Sequence, residues 1–207
     1  MLNITIHKTD APKEKPAKGT ALGFGNLFTD HMFLMDYSPD QGWHDARILP
    51  YGPLTLDPAA SVLHYGQACF EGLKAYRGPD GKVRLFRPDC NGRRMMQSMR
   101  RMCMPEIPEE DFVQAIRALC RVEEAWVPDE IGSSLYFRPL AIATTPKLGV
   151  HASGNYLFCV LASPAGTYYP TGMEPVRIYV EPHYIRAAEG GTGFTKCAGN
   201  YAGAALA

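Results

Sequence analysis

The sequence predicts an α+β fold: strands and helices mix along the first 165 residues without a regular strand–helix alternation. Three observations carry this. Gly72–Arg77 and Lys82–Phe86 alternate apolar and polar residues around Gly78-Pro79-Asp80-Gly81, the pattern of a β-hairpin. Met95, Met99 and Met102 recur at helical spacing, as do Phe112, Ile116, Leu119 and Val122. His31–Asp36, Ser134–Ala143 and Asn155–Ala162 are apolar runs that read as strands.

The elements follow in order. Residues 1–20 form a polar, proline-bearing lead-in, expected to be mobile. The strand at His31–Asp36 ends in a turn at Ser38–Gly42, and Pro50–Pro53 is a second turn. After the hairpin, Pro88 and Asp89 open a helix with Asp89 as its N-cap. Arg93, Arg94, Arg100 and Arg101 surround its methionine stripe and read, by pattern alone, as a solvated face. A second helix covers Pro108–Ala125. Pro108 stands in its first turn, and Glu109, Glu110 and Asp111 complement its dipole. Three prolines and two glycines in residues 164–175 mark a linker, and Val176–Val180 reads as a short strand beyond it. Tyr201–Ala207 reads as a helix start with no stop signal, so a continuation is expected.

Composition narrows the function. With 46% hydrophobic and 20% charged residues, the chain can bury a packed core. Its 21 basic and 21 acidic side chains cancel, which gives no basis for a nucleic-acid or anionic-membrane partner. No apolar run reaches the length of a membrane span, and the N-terminus lacks a signal-peptide pattern. Cysteines 69, 90, 103, 120, 159 and 197 form no Cys-x-x-Cys pair and have no histidine at ligand spacing. They read as small core residues in a reducing cytoplasm, and no metal site is expected.

The chemistry concentrates at Gly190-Gly-Thr-Gly-Phe-Thr-Lys196-Cys-Ala-Gly-Asn-Tyr201. Glycines let a backbone pass close to a bulky ligand. A lysine held there loses water, and desolvation frees its amine as a nucleophile for a carbonyl group. A phosphate-cradling P-loop needs Gly-Lys followed by Ser or Thr, but here Thr195 precedes the lysine and Cys197 follows it. A dinucleotide Gly-x-Gly-x-x-Gly fails because Lys196 fills the third glycine position. By pattern alone, a glycine-rich turn with a solvated lysine fits as well as a lysine nucleophile.

Further stretches carry a resemblance. Leu63–Tyr76, Arg84-Leu-Phe-Arg-Pro88, Ser134-Leu-Tyr-Phe-Arg-Pro139 and the Lys196 segment, in this order, resemble the branched-chain amino-acid aminotransferases of pyridoxal-phosphate fold type IV. The likeness runs from about Phe24 to the C-terminus. It implies a two-domain architecture like that of D-amino-acid aminotransferase. Residues 21–164 would form the small domain, 165–175 the interdomain linker, and 176–207 the opening of the large cofactor-binding domain.

The resemblance also implies roles. Lys196 matches the catalytic lysine that forms a Schiff base with pyridoxal 5′-phosphate and moves the substrate Cα proton. Tyr201 matches the tyrosine bonded to the cofactor's phenolic oxygen, and Arg94 matches the phosphate-binding arginine. Phe70, Tyr136 and Arg138 match substrate-pocket residues. Tyr65 matches a tyrosine supplied by the neighbouring subunit of a homodimer, and Tyr168 a linker tyrosine that closes over the substrate. Aromatic walls suit branched aliphatic side chains, and an arginine with a tyrosine hydroxyl suits the second carboxylate of glutamate. The implied reaction moves the amino group of L-leucine, L-isoleucine or L-valine to 2-oxoglutarate. Two rivals stand beside it. One is a D-amino-acid aminotransferase or aminodeoxychorismate lyase on the same fold. The other is an inactive fragment that keeps only an association surface. Family members are longer, and the acid that pairs with the pyridine nitrogen lies beyond Ala207 in them. A chain ending there would hold the cofactor weakly and expose apolar surface.

Overall fold

The computed structural model describes every residue except Tyr168, Pro170, Thr171, Met173 and Ala207. Its strands are β1 (Thr5–Ile6), β2 (His31–Ser38), β3 (Gly42–Pro50), β4 (Ala68–Phe70), β5 (Leu73–Arg77), β6 (Val83–Leu85), β7 (Ser134–Ala143) and β8 (Tyr156–Ala165). Its helices are α1 (Ser61–Tyr65), α2 (Pro88–Arg101), α3 (Glu109–Val122) and α4 (Ala198–Ala202). Among the described residues the strands form one sheet, in the order β1-β3-β2-β8-β7-β5-β6, and β4 also pairs with β7. All pairings are antiparallel except β1 with β3.

Side-chain alternation gives the sheet two unlike faces. Phe33 and Met35 of β2, Leu135, Phe137 and Ala141 of β7, and Phe158 and Val160 of β8 point to one side. There they meet Met95 and Met99 of α2 and Phe112, Ile116 and Leu119 of α3. The helical spacing read from the sequence therefore marks the buried stripes. Each fully buried side chain of this size contributes about 1.5–3 kcal/mol. The residues between them (Met32, Leu34, Ala68, Ile142, Leu157 and Cys159) gather on the other face in a smaller cluster. Tyr136 and Arg138 share this second face by the same alternation.

Pro139 stands in the middle of β7, where a proline cannot donate a ladder hydrogen bond. Its register explains why it is tolerated. The registers Phe70↔Leu140 and Leu73↔Phe137 place Glu71 opposite Pro139. The Glu71 N–H donates to the Pro139 carbonyl at 2.9 Å. Pro139 cannot return that bond, so the strand facing β7 breaks at Glu71-Gly72 into β4 and β5. This break matters for the site below.

The β5–β6 hairpin forms as expected, with Gly81 at φ 73° completing the turn. Other expectations shift. Arg87, at φ 46°, takes the N-cap position of α2 in place of Asp89. Pro88 opens the first turn, which moves Asp89 inside the helix, where it pairs with Arg93 at 2.5 Å. Pro108 caps α3 from outside its first turn. β8 runs on to Ala165. The helix expected from Tyr201 onward is instead Ala198–Ala202, followed by a turn. Val176–Val180 is not a strand: it has no ladder partner among the described residues, and Ile178 and Val180 are 83% and 82% exposed. Its residues favour β structure, but a strand forms only where a neighbour accepts its hydrogen bonds. Cys69, Cys120 and Cys159 are core residues as expected, and burial pushes the thiols of Cys69 and Cys159 up to about 12. Cys103 departs from the expectation and is exposed.

Candidate active site

The site is built where the Lys196 loop docks against the break in the sheet. Both backbone polar groups of Lys196 are held. Its carbonyl accepts the Phe70 N–H at 2.9 Å, and its own N–H donates to Ser98 Oγ of α2 at 3.0 Å. Cys69 and Cys197 face each other in an isolated antiparallel bridge, with both side chains in the core on the helix side. Alternation then puts Lys196 and Phe70 on the opposite face.

The glycine-rich loop is tied to itself through Asn200. This buried side chain donates to the carbonyls of Thr192 (2.7 Å) and Thr195 (2.9 Å), and accepts from the Thr192 hydroxyl at 2.7 Å. Arg101 of α2 donates to the Gly190 carbonyl at 3.2 Å. Arg101 therefore does more than face solvent, whereas Arg93 and Arg100 spend themselves on ion pairs with Asp89, Glu109 and Glu106.

The lysine side chain is half-buried. Its Nζ donates to the Tyr201 hydroxyl at 2.8 Å and lies 4.5 Å from the Phe70 ring centroid. The Phe70 and Tyr201 rings pack with centroids 4.7 Å apart. A second cation touches Phe70: the Arg138 guanidinium is 4.8 Å from its centroid. Arg138 also donates through Nε (3.1 Å) and Nη2 (3.0 Å) to the Tyr136 hydroxyl. Phe24 packs edge-on against Tyr136 at 4.8 Å. Gly72 must stay bare, because a Cβ there would come within 3.0 Å of Tyr136 ring carbons.

Arg94 of α2 pairs with the fully buried Glu71 through Nε and Nη2. That bond holds its guanidinium above the ordinary arginine range, and the nearby Tyr201 adds to the effect. Among the described residues Lys196 and Arg138 have no carboxylate partner, so the cluster carries surplus positive charge. Such a cluster suits an anionic ligand with an apolar body.

The structure thus brings together Lys196, Tyr201, Phe70, Tyr136 and Arg138, with Arg94 on the flank. Tyr65 lies apart: it sits at the end of α1, contacts His64, and accepts the Gly149 N–H at 2.9 Å. Tyr168 falls outside the described residues. Glu71, Asn200, Ser98 and Phe24 were not singled out from the sequence. For Glu71 a signal existed, because alternation from Cys69 turns this charged residue toward the core, where it needs a cation.

No family model matches the chain. It is 56% identical over 200 residues to branched-chain-amino-acid transaminase 1 of Bacillus subtilis (strain 168), a match covering 96% of this chain and 56% of that protein. It is 50% identical over 210 residues to the branched-chain-amino-acid aminotransferase of Mycolicibacterium smegmatis, covering 100% of this chain and 57% of that protein. Among solved structures, the branched-chain aminotransferase of the archaeon Thermoproteus uzoniensis with norvaline superposes with a TM-score of 0.65 at 23% identity, over 86% of this chain and 55% of that one. The branched-chain amino acid aminotransferase of Thermobaculum terrenum in its PLP form gives 0.61 at 23% identity, over 84% and 53%. These two show the fold, which is the expected α+β, fold-type-IV architecture. The chain spans a little over half the length of the curated relatives it matches. With half or more of its residues identical to theirs along nearly its whole length, the chain belongs to the branched-chain-amino-acid aminotransferase family.

Proposed function

We propose that this chain carries the lysine side of a transaminase site that moves amino groups from L-leucine, L-isoleucine or L-valine to 2-oxoglutarate with pyridoxal 5′-phosphate. The observation that carries the reading is the Lys196 Nζ, 2.8 Å from the Tyr201 hydroxyl above the Phe70 ring, on a loop whose backbone is fixed from both sides. The donor set fits this cofactor. It offers a primary amine for an aldehyde, a phenol beside that amine, and a half-exposed guanidinium whose Nη1 is unused by Glu71. The names of the curated relatives support the substrate class.

Pyridoxal phosphate, when bound, supplies an electron sink for the charge left on the substrate Cα. The protein's part is attachment, orientation and proton movement. Lys196 Nζ would hold the cofactor through its aldehyde, and as a free amine would take the substrate Cα proton. The Tyr201 hydroxyl keeps that nitrogen in place, since its ring is itself packed on Phe70. Phe70 forms an apolar wall for a branched side chain. Arg138, steered by the Tyr136 hydroxyl, receives a carboxylate. Arg94 receives the cofactor phosphate.

We further propose a homodimer in the cytoplasm, with Tyr65 reaching the neighbouring site. Tyr65 is 45% exposed, which leaves its ring available to a second copy, and the six free cysteines suit a reducing compartment. No helix among the described residues is long and apolar enough to cross a membrane. The test of the reaction is stereochemical. With 2-oxoglutarate as acceptor, L-leucine is expected to form glutamate at least ~100-fold faster than D-alanine, a difference of two decades in transition-state binding. A preference for D-alanine would assign the site to the D-amino-acid branch of the fold.

A further inference from the structure

Glu71 is a charged side chain with no exposed surface, set in the gap that Pro139 opens between β4 and β5. It accepts hydrogen bonds from Arg94 Nε and Nη2, from Asn91 Nδ2 at 2.8 Å and from the Gly72 N–H at 3.1 Å. Asn91 lies one helical turn before Arg94 on α2 and also donates to the Gly72 carbonyl at 3.1 Å. The carboxylate is therefore immobile, and Arg94 is its one cationic partner among the described residues.

The way Arg94 uses its donors is informative. A guanidinium carries five N–H groups in one rigid plane. Glu71 occupies the side edge, Nε and Nη2. Both hydrogens of Nη1 and the second of Nη2 remain, and one from each nitrogen forms the two-donor end edge of the fork. The Arg94 side chain is 51% exposed, so this edge is open. A free arginine spreads its donors over many rotamers, whereas one clamped to a buried carboxylate holds its remaining edge in one direction.

We infer that Glu71 is a positioning residue, which clamps the side edge of Arg94 so that the end edge stands ready as a two-pronged receptor for the cofactor phosphate. The inference rests on the reading of Arg94 as the phosphate ligand. It makes a counterintuitive demand on sign. A carboxylate beside an anion site should weaken anion binding if Coulomb attraction alone mattered, and neutralising it should help. If orientation dominates, neutralising Glu71 hurts. Glutamine keeps the size of glutamate but puts an NH2 donor where the second oxygen stood, so it cannot meet the two parallel Arg94 donors with one oxygen each. The clamp opens.

The test compares pyridoxal 5′-phosphate with pyridoxal, which lacks the phosphate, by absorbance titration of the lysine adduct on the full purified protein. The readout is the ratio of the two dissociation constants, which isolates the phosphate contribution from damage to the rest of the site. Wild type is expected to prefer the phosphorylated form strongly. Glu71→Gln is expected to lower that ratio by about tenfold, the scale of one charge-assisted hydrogen bond, while pyridoxal affinity stays nearly constant. Asn91→Ala removes one tether of the same carboxylate without unpairing a charge. It should lower the ratio in the same direction by less, and serves if Glu71→Gln does not fold. In the double variant Glu71→Gln, Arg94→Met the ratio should equal that of Arg94→Met alone, because Glu71 acts through Arg94. A ratio unchanged or raised in both Glu71→Gln and Asn91→Ala, beside a collapse in Arg94→Met, would overturn the positioning role and leave Arg94 as the phosphate ligand. A ratio unchanged in Arg94→Met would overturn both. Equal losses for pyridoxal and its phosphate would reduce the Glu71 cluster to a brace between β4 and α2.

Discussion

Lys196→Ala is expected to lower transamination of L-leucine by at least roughly 10³-fold, the loss that follows removal of an attacking or proton-transferring group. The reason is positional as much as chemical. The Lys196 backbone is bonded to Phe70 on one side and Ser98 on the other, so its amine has one place to go, beside Tyr201. Among the described residues Lys196 is the lysine whose amine lies over the Phe70 ring. Alanine keeps both backbone bonds, so the variant should fold normally and retain its melting temperature within a few degrees. Steady-state kinetics beside thermal unfolding check this, and a variant that folds and turns over normally would contradict the mechanism.

Phe158→Ala is expected to cost about 3–5 kcal/mol of stability, the range for deleting a buried aromatic ring. Phe158 has no exposed surface and sits on β8, the strand between β2 and β7. Its ring lies 6.0 Å from Phe33, 6.1 Å from Phe112 and 6.4 Å from Trp43, so one side chain joins three elements of the core. Its neighbours on the backbone are locked in ladders on both sides, and little can move in to fill the space. Urea unfolding of the variant beside wild type measures the change. A loss below about 1 kcal/mol, the usual scale for surface positions, would show that the core repacks there.

Much of this architecture is written in local sequence. The methionine stripe of α2 and the Phe112, Ile116, Leu119 stripe of α3 are the buried faces of their helices, because a three-to-four-residue spacing admits one apolar side. The Gly81 turn forms because only its neighbours are needed. What stayed hidden depends on distant partners. β4 is three residues long and exists because β7 accepts it. Val176–Val180 shows the reverse, with strand-like residues and no ladder. Within the site, Lys196 and Tyr201 stand out because they lie five positions apart, across the start of a short helix. Arg138 and Tyr136 stand out because alternate residues of one strand share a face. Glu71 and Asn200 carry no such local mark. Their importance comes from Arg94, 23 residues along the chain, and from three bonds folded back onto a glycine loop.

The most direct test of the central claim is to incubate the purified protein with pyridoxal phosphate, reduce it with borohydride, and map the modified peptide. The account predicts a single, stoichiometric pyridoxyl group on Lys196. Absence of an adduct, or label spread over exposed lysines such as Lys8, Lys18 and Lys147, would contradict it.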